Sequence, residues 1–283
     1  MNEASPEAFF QRLAENSPIG IYLVQDGKFR YVNREFENST EFKRRDLIGR
    51  NCLSLVHPLD HEMVRGAAID MLKGRRSVPY EYRVITSSGK TIWILETVTS
   101  LVYSNGPAAA GNFMNITERK TMEEKLRDQA RRDSLTGLLN HGAILQELDD
   151  LLGRVADRQH AVILADIRGM KQVNDHHGHL AGDAVLTSAA DALDIEGAIV
   201  GRYDGDEFVA ILPGCNLAQA AEYSARVCAS LKDFQITDAG GSTIASPGLT
   251  LGVAIYPTNG SLVDQLIAAA DNDMYAQRRG AAA

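Results

Sequence analysis

Three carboxylates define the chemistry this sequence offers. Asp166 closes a continuous apolar run, residues 161–165, and Asp206 and Glu207 follow a short turn. A carboxylate at the end of an apolar strand is costly to bury unless a cation binds it. Carboxylates at two neighbouring strand ends suit Mg²⁺ or Mn²⁺. Such an ion takes one or two carboxylates and completes its shell with phosphate oxygens and water. Exposed acids at strand ends are the competing reading, and spacing alone leaves both open.

The stretch after the strand, 166–183, reads DIRGMKQVNDHHGHLAGD. A glycine followed by free backbone N–H groups can cradle phosphate, and Lys171 adds a point charge. Asn174 and Asp183 are polar groups of the kind that read a purine edge; a carboxylate accepts from guanine N1–H and N2–H. His176, His177 and His179 invite a zinc reading, but no cysteines or matching acids accompany them.

These residues need a scaffold, and the pattern around them supplies one. From about residue 133 helices and strands alternate: helix 143–152, strand 161–165, helix 184–193, strands 199–203 and 208–212 around an Asp204–Gly205 turn, helix 217–231, strand 249–255 and helix 262–276. Ahead of them, residues 6–15 form an amphipathic helix. Strands 19–24 and 29–32 flank an Asp26–Gly27 hairpin turn. A helical middle breaks at His57–Pro58. Strands 79–86, 91–102 and 108–116 follow, joined at Ser88–Gly89 and at Asn105–Gly106–Pro107. Residues 118–132, ERKTMEEKLRDQARR, are charged and helix-prone, with Met122 and Leu126 four apart and Glu123 to Arg127 at an attractive i,i+4 spacing. This segment reads either as a solvated connector or as a short coiled coil joining two protomers. The expected division is 1–117, 118–132 and 133–283.

Bulk properties narrow the partners. The chain has 283 residues, 45% of them hydrophobic, and a net charge of −8. Two modest cores are within reach, while an acidic chain lacks the footprint for nucleic-acid binding. The first ten residues have no signal-peptide core, and no apolar run reaches a bilayer's span, so no stable membrane insertion and a cytoplasmic location are expected. The thiols of Cys52, Cys215 and Cys228 are isolated, which fits a reducing compartment.

Taken in order, DSLTGLLN at 133–140, DIRGMKQVNDHHGHLAGD at 166–183 and RYDGDEF at 202–208 resemble the GGDEF family of bacterial diguanylate cyclases. The resemblance implies a palm-like domain, a central sheet wrapped by helices, that condenses two GTP molecules into cyclic di-GMP, with each domain of a homodimer presenting one GTP. By position, Asp166 and Asp206 would hold Mg²⁺ or Mn²⁺, helped by the Ile167 carbonyl, and Glu207 would assist the metal or deprotonate the 3′-hydroxyl. Asn174 and Asp183 would read guanine beside His179. Lys171, the amides of Gly169 and Met170, and Arg278 would hold phosphates, and Gly205 would let GTP approach the turn. Four departures stand out. Asp204 replaces the motif's first glycine. Arg168 replaces the second Asp of the metal strand. Gly169–Met170 replaces an aromatic pair. Ala282 stands where an arginine would follow Arg278.

Residues 8–120 resemble a PAS domain through SPIGIYLV, YVNREF, LIGRNCLSLVHPLDHE, GKTIWILE and the exit GNFMNITERK. That resemblance implies an antiparallel sheet with flanking helices and an unknown PAS ligand. His57 is expected in the family's common His-Pro turn rather than as a haem ligand, and Trp93 in sheet-face packing. The fold class expected is therefore α+β. The function expected is a PAS-regulated diguanylate cyclase, homodimeric through PAS and linker. The alternative is a degenerate GGDEF domain acting as a GTP or cyclic dinucleotide receptor.

Overall fold

A computed structural model describes residues 5–154, 158–232, 235–237, 243–245 and 248–281. Two compact units emerge, Met1–Leu126 and Arg127–Ala283.

The first unit contains α1 (Pro6–Glu15), β1 (Gly20–Gln25), β2 (Lys28–Val32), α2 (Arg34–Thr40), α3 (Arg44–Leu47), α4 (His61–Leu72), β3 (Tyr80–Ile85), β4 (Thr91–Tyr103), β5 (Gly106–Asn115) and α5 (Thr117–Arg131), which runs on past its end. Its antiparallel sheet has the order β2-β1-β5-β4-β3. Asp26 and Gly27 both take positive φ, as a tight hairpin between β1 and β2 requires. The second hairpin differs from its expected position. Ser104 and Asn105 carry the positive φ values, while Gly106 and Pro107 already pair within β5. Asn tolerates the left-handed region well enough for the turn to close one residue early. His57 Nδ1 accepts from the Leu59 amide at 3.3 Å, which makes it a turn residue. Trp93 lies on the sheet face with Arg83 and Lys120 over its ring, at 5.7 and 5.3 Å from the ring centroid.

The exit from this sheet is capped by Asn115, whose Oδ1 accepts from the Thr117 amide at 3.0 Å and its hydroxyl at 2.7 Å. Thr117 Oγ1 in turn accepts from the Trp93 amide at 2.9 Å. Along α5, Glu123 pairs with Arg119 one turn before it, at 2.8 Å, rather than with Arg127 one turn after it as spacing suggested. Met122 and Leu126 are exposed.

The second unit runs through α6 (His141–Arg154), β6 (His160–Ile167), α7 (Met170–His177), α8 (His179–Leu193), β7 (Ile199–Asp204), β8 (Glu207–Leu212), α9 (Leu217–Lys232), β9 (Gln235–Thr237), β10 (Thr243–Ala245), β11 (Leu249–Tyr256) and α10 (Val263–Ala281). Its central sheet is antiparallel with the order β11-β6-β8-β7, and β9 and β10 form a separate hairpin. Alternate residues of β6 feed two cores. Ala161, Ile163 and Ala165 pack with α8 and α9, and Val162 and Leu164 pack with α6 and α10. A strand covered on both faces reads as an unbroken apolar run. Gly252 of β11 is a close-approach point: a Cβ there would lie 2.0 Å from the Ala270 carbonyl oxygen of α10. Among the described residues no helix is long and apolar enough to cross a membrane. The position of Ala282 lies outside the described residues.

Candidate functional site

The central strands bring the acidic residues together. In the β6–β8 register Asp166 sits opposite Glu207, and in the β7–β8 register Glu207 sits opposite Asp204. The tip of that hairpin is therefore Gly205–Asp206 rather than Asp204–Gly205. Gly205 takes a φ of 43°, and Asp204 ends β7 with no positive φ. The Ile167 amide donates to the Asp206 carbonyl at 3.2 Å, which ties the tip to the end of β6. Burial, and then the negative charges of Asp166, Asp204, Asp206 and Asp271, push the Glu207 carboxyl above the ordinary glutamate value.

Leaving β6, Gly169 adopts φ 76°, the left-handed turn that starts α7 beside the strand end. Gly178 at φ 81° then turns the chain from α7 into α8. The two helices meet where Gly182 faces Asn174, since a Cβ at Gly182 would lie 2.0 Å from Asn174 Oδ1. That oxygen is buried and makes no hydrogen bond to any described group. A buried acceptor with no partner is uncommon in folded proteins.

A cleft of about 460 Å³ opens between these helices and the hairpin, lined by Met170, Lys171, Asn174, His179, Gly205 and Asp206 among others. Six of the positions singled out in the sequence thus share one cavity. Met170 contributes its side chain to the core, and Lys171 is exposed. Asp183 is not part of the lining; it lies one turn along α8 from His179. Asp166 is reached from another side, by an ion pair with Arg278 of α10.

Three contributors escaped the sequence reading. Arg202 lines the cleft and donates from Nε to the Gly205 carbonyl at 2.8 Å. Its Nη1 lies 3.2 Å from Asp133 Oδ1 in the DSLTGLLN segment. Burial raises the Asp133 carboxyl, but hydrogen bonds from Thr136 and the nearby Arg202 charge outweigh this and hold it below the ordinary value. Leu186 supplies an apolar wall of the cleft. Asp271 adds charge near Glu207; it stands seven residues before Arg278 in α10, on the same face of that helix. Arg168 is exposed, with its guanidinium across Gly248.

The donor chemistry fits a hard divalent cation. Carboxylates crowd Glu207 closely enough to raise its pKa, and a cation would relieve that excess of charge. No three His, Cys, Asp or Glu side chains among the described residues form a complete metal cage. Mg²⁺ does not need one, because substrate phosphates and water supply the remaining ligands.

Comparison with known proteins places this geometry in context. Residues 130–282 match the family described as "Diguanylate cyclase, GGDEF domain", and residues 29–109 match "PAS fold". An "Uncharacterized signaling protein" of Caulobacter vibrioides is 31% identical over 94% of this chain and 33% of its own length. "Diguanylate cyclase DgcM" of Escherichia coli is 31% identical over 57% of this chain and 39% of its own. This chain thus spans about a third of the length of these relatives. Among solved structures, the diguanylate cyclase SiaD of Pseudomonas aeruginosa, in complex with its activator SiaC, superposes with a TM-score of 0.52 at 27% identity, covering 58% of this chain and 64% of that one.

Proposed function

Because the chain belongs to the GGDEF diguanylate cyclase family, with a PAS fold ahead of that domain, we propose that it condenses two molecules of GTP into cyclic di-GMP and pyrophosphate. The observation that carries this reading is a cleft that gathers Asn174, whose Oδ1 has no partner among the described groups, with Lys171 and Asp206. Asn174 accepts an N–H from the guanine edge beside His179, and Asp183, one turn along α8 outside the cleft lining, joins the base pocket when the nucleotide is bound. Lys171, the Gly169 and Met170 amides and Arg278 hold phosphate oxygens. Asp166, Asp206 and the Ile167 carbonyl would hold Mg²⁺ or Mn²⁺, which supplies Lewis-acid stabilisation of charge developing on the phosphates.

Glu207 removes the proton from the 3′-hydroxyl of one GTP. The freed oxygen attacks the α-phosphorus of the other, the bond to the bridging oxygen breaks, and pyrophosphate leaves. A glutamate whose pKa lies above the ordinary value is better matched to that proton transfer than a free carboxylate. Repeating the step closes the ring. One domain supplies one GTP, so the working unit is a homodimer, held through the PAS unit and α5.

One observation favours a second reading. Arg278 already neutralises Asp166, as in a domain that binds GTP or a cyclic dinucleotide and signals without turnover. Incubation of the chain with GTP and Mg²⁺, with products resolved by chromatography, separates the two. Cyclic di-GMP from GTP and none of the adenine analogue from ATP supports the cyclase; bound, unconverted GTP supports the receptor.

A further inference from the structure

The first unit encloses a cavity of about 160 Å³ whose wall is almost wholly apolar and aromatic, with Phe29, Phe36, Phe113 and Val98 among its residues. One carboxylate breaks that wall. Glu96 occupies a buried position of β4 in the alternation Ile92, Ile94, Glu96, Val98, where an aliphatic residue would be expected, and only 3% of it is exposed. Three phenols converge on its carboxylate. Tyr22 and Tyr82 donate to Oε1 at 2.8 and 3.0 Å, and Tyr80 donates to Oε2.

The cluster is built by the sheet. Tyr80 and Glu96 are cross-strand partners on β3 and β4. Tyr22 comes from β1, on the far side of β5, and reaches Glu96 because Gly111 stands between them. A Cβ at Gly111 would lie 2.0 Å from the Tyr22 ring. Burial holds the Glu96 carboxyl above the ordinary glutamate value, outweighing the three phenol hydrogen bonds that favour its charged form.

An ionised carboxylate accepts about four hydrogen bonds. The three phenols leave one acceptor position free, and a donor that brings a positive charge would stabilise the ionised form that burial disfavours. The aromatic faces of the wall also favour a cation. We propose that this cavity is a binding site for a compact apolar amine, whose ammonium group donates to Glu96 while its hydrocarbon part fills the aromatic wall. Size restricts the ligand further. A cavity of about 150 Å³ holds a benzene-sized molecule, so one ring with a short arm fits and a haem or flavin ring system does not. Occupancy is placed to reach the output helix. Trp93, three residues from Glu96 on β4, donates its amide to Thr117 at the start of α5.

The test is calorimetric titration of the full chain with 2-phenylethylamine and, in parallel, with the neutral 2-phenylethanol. The amine is expected to bind about ten-fold tighter or more, as a charge-assisted contact should. Glu96→Gln should bring the two to parity. Ala109→Leu, which fills the cavity wall, should abolish binding of both and so rule out a surface site. Equal or tighter binding of the alcohol by the wild type, saturable binding of neither, or an amine preference that survives Ala109→Leu would overturn the proposal. The wild-type comparison stands even if Glu96→Gln does not fold.

Discussion

The Arg278 guanidinium at the end of α10 is ion-paired with the Asp166 carboxylate on β6. These residues are 112 apart in sequence (278 − 166) and meet because α10 packs directly on β11 at Gly252. Asp166 is the less accessible partner, with 14% of its side chain exposed against 41% for Arg278. A divalent cation at Asp166 must therefore compete with, or share, a resident positive charge.

Arg278→Ala should lower the Mg²⁺ concentration needed for half-maximal turnover, because it removes the competitor, and raise the KM for GTP, because it removes a phosphate contact. Each change should be about five-fold or less, the scale of a half-exposed ion pair. Steady-state kinetics at varied Mg²⁺ and GTP would show both. An unchanged Mg²⁺ requirement would mean that Arg278 leaves Asp166 free in the working state.

Asn174→Ala should raise the KM for GTP by roughly ten- to a hundred-fold and narrow the preference for GTP over ATP, as loss of one buried hydrogen-bonding partner does. Gly182→Ala supplies an independent test. Its Cβ would meet Asn174 Oδ1 at 2.0 Å, so it should displace the amide and reproduce the KM effect while Asn174 remains present. Normal guanine selectivity in both variants would remove Asn174 from the base pocket.

Glu207 titrates above the ordinary glutamate value of 4.5. As a base it must be unprotonated, so kcat/KM should fall as pH drops through that raised pKa, and Glu207→Gln should cut turnover by orders of magnitude with the fold intact. Stability runs with the same group. Its protonated form is favoured in the folded chain, so that contribution is full below the unfolded pKa and is lost as pH rises through the folded one. Glu207→Gln keeps a neutral side chain throughout. Its Tm advantage over wild type should grow as pH rises from the ordinary glutamate value through the raised one, as differential scanning calorimetry would show.

What the sequence revealed and what it hid follow from range. The apolar run of β6 was readable because helices cover both its faces, and the Asp26–Gly27 turn because its backbone demands are local. Helix α7 was not readable as a helix. Its residues include Asn174, Asp175, His176 and His177, poor helix formers, and it stands on Gly169 and Gly178 at its ends and on the burial of Met170 and Val173. Asp271 gave no local signal, and Arg202 stood in the RYDGDEF motif with nothing to mark its partner. Their roles exist only once α10 lies on β11 and the 133–140 segment lies against β7. The Glu96 cluster was hidden for the same reason, since Tyr22 lies 74 residues before Glu96 in the chain while only β5 stands between their strands in the sheet.

The last prediction concerns Asp204, which stands where the family's motif has its first glycine. Backbone strain does not explain a glycine requirement here, because positive φ falls on Gly205 at 43° and Asp204 ends β7 in an ordinary conformation. Its side chain is exposed, and Arg202, its nearest basic neighbour in sequence, is committed to Asp133. What remains is charge. Asp204 is paired in register with Glu207 and follows Asp166 among the carboxylates that raise the Glu207 pKa. Asp204→Asn removes that charge and keeps the backbone; Asp204→Gly removes the side chain as well. Both should shift the acid limb of the pH–rate profile to lower pH, because one of the charges that raise the Glu207 pKa is gone. Both should raise turnover near the acid limb, and the gain should shrink as Mg²⁺ rises. If only Asp204→Gly has an effect, bulk against the incoming nucleotide matters more than charge. If both lower activity, Asp204 is itself a ligand of the metal or of a bound water.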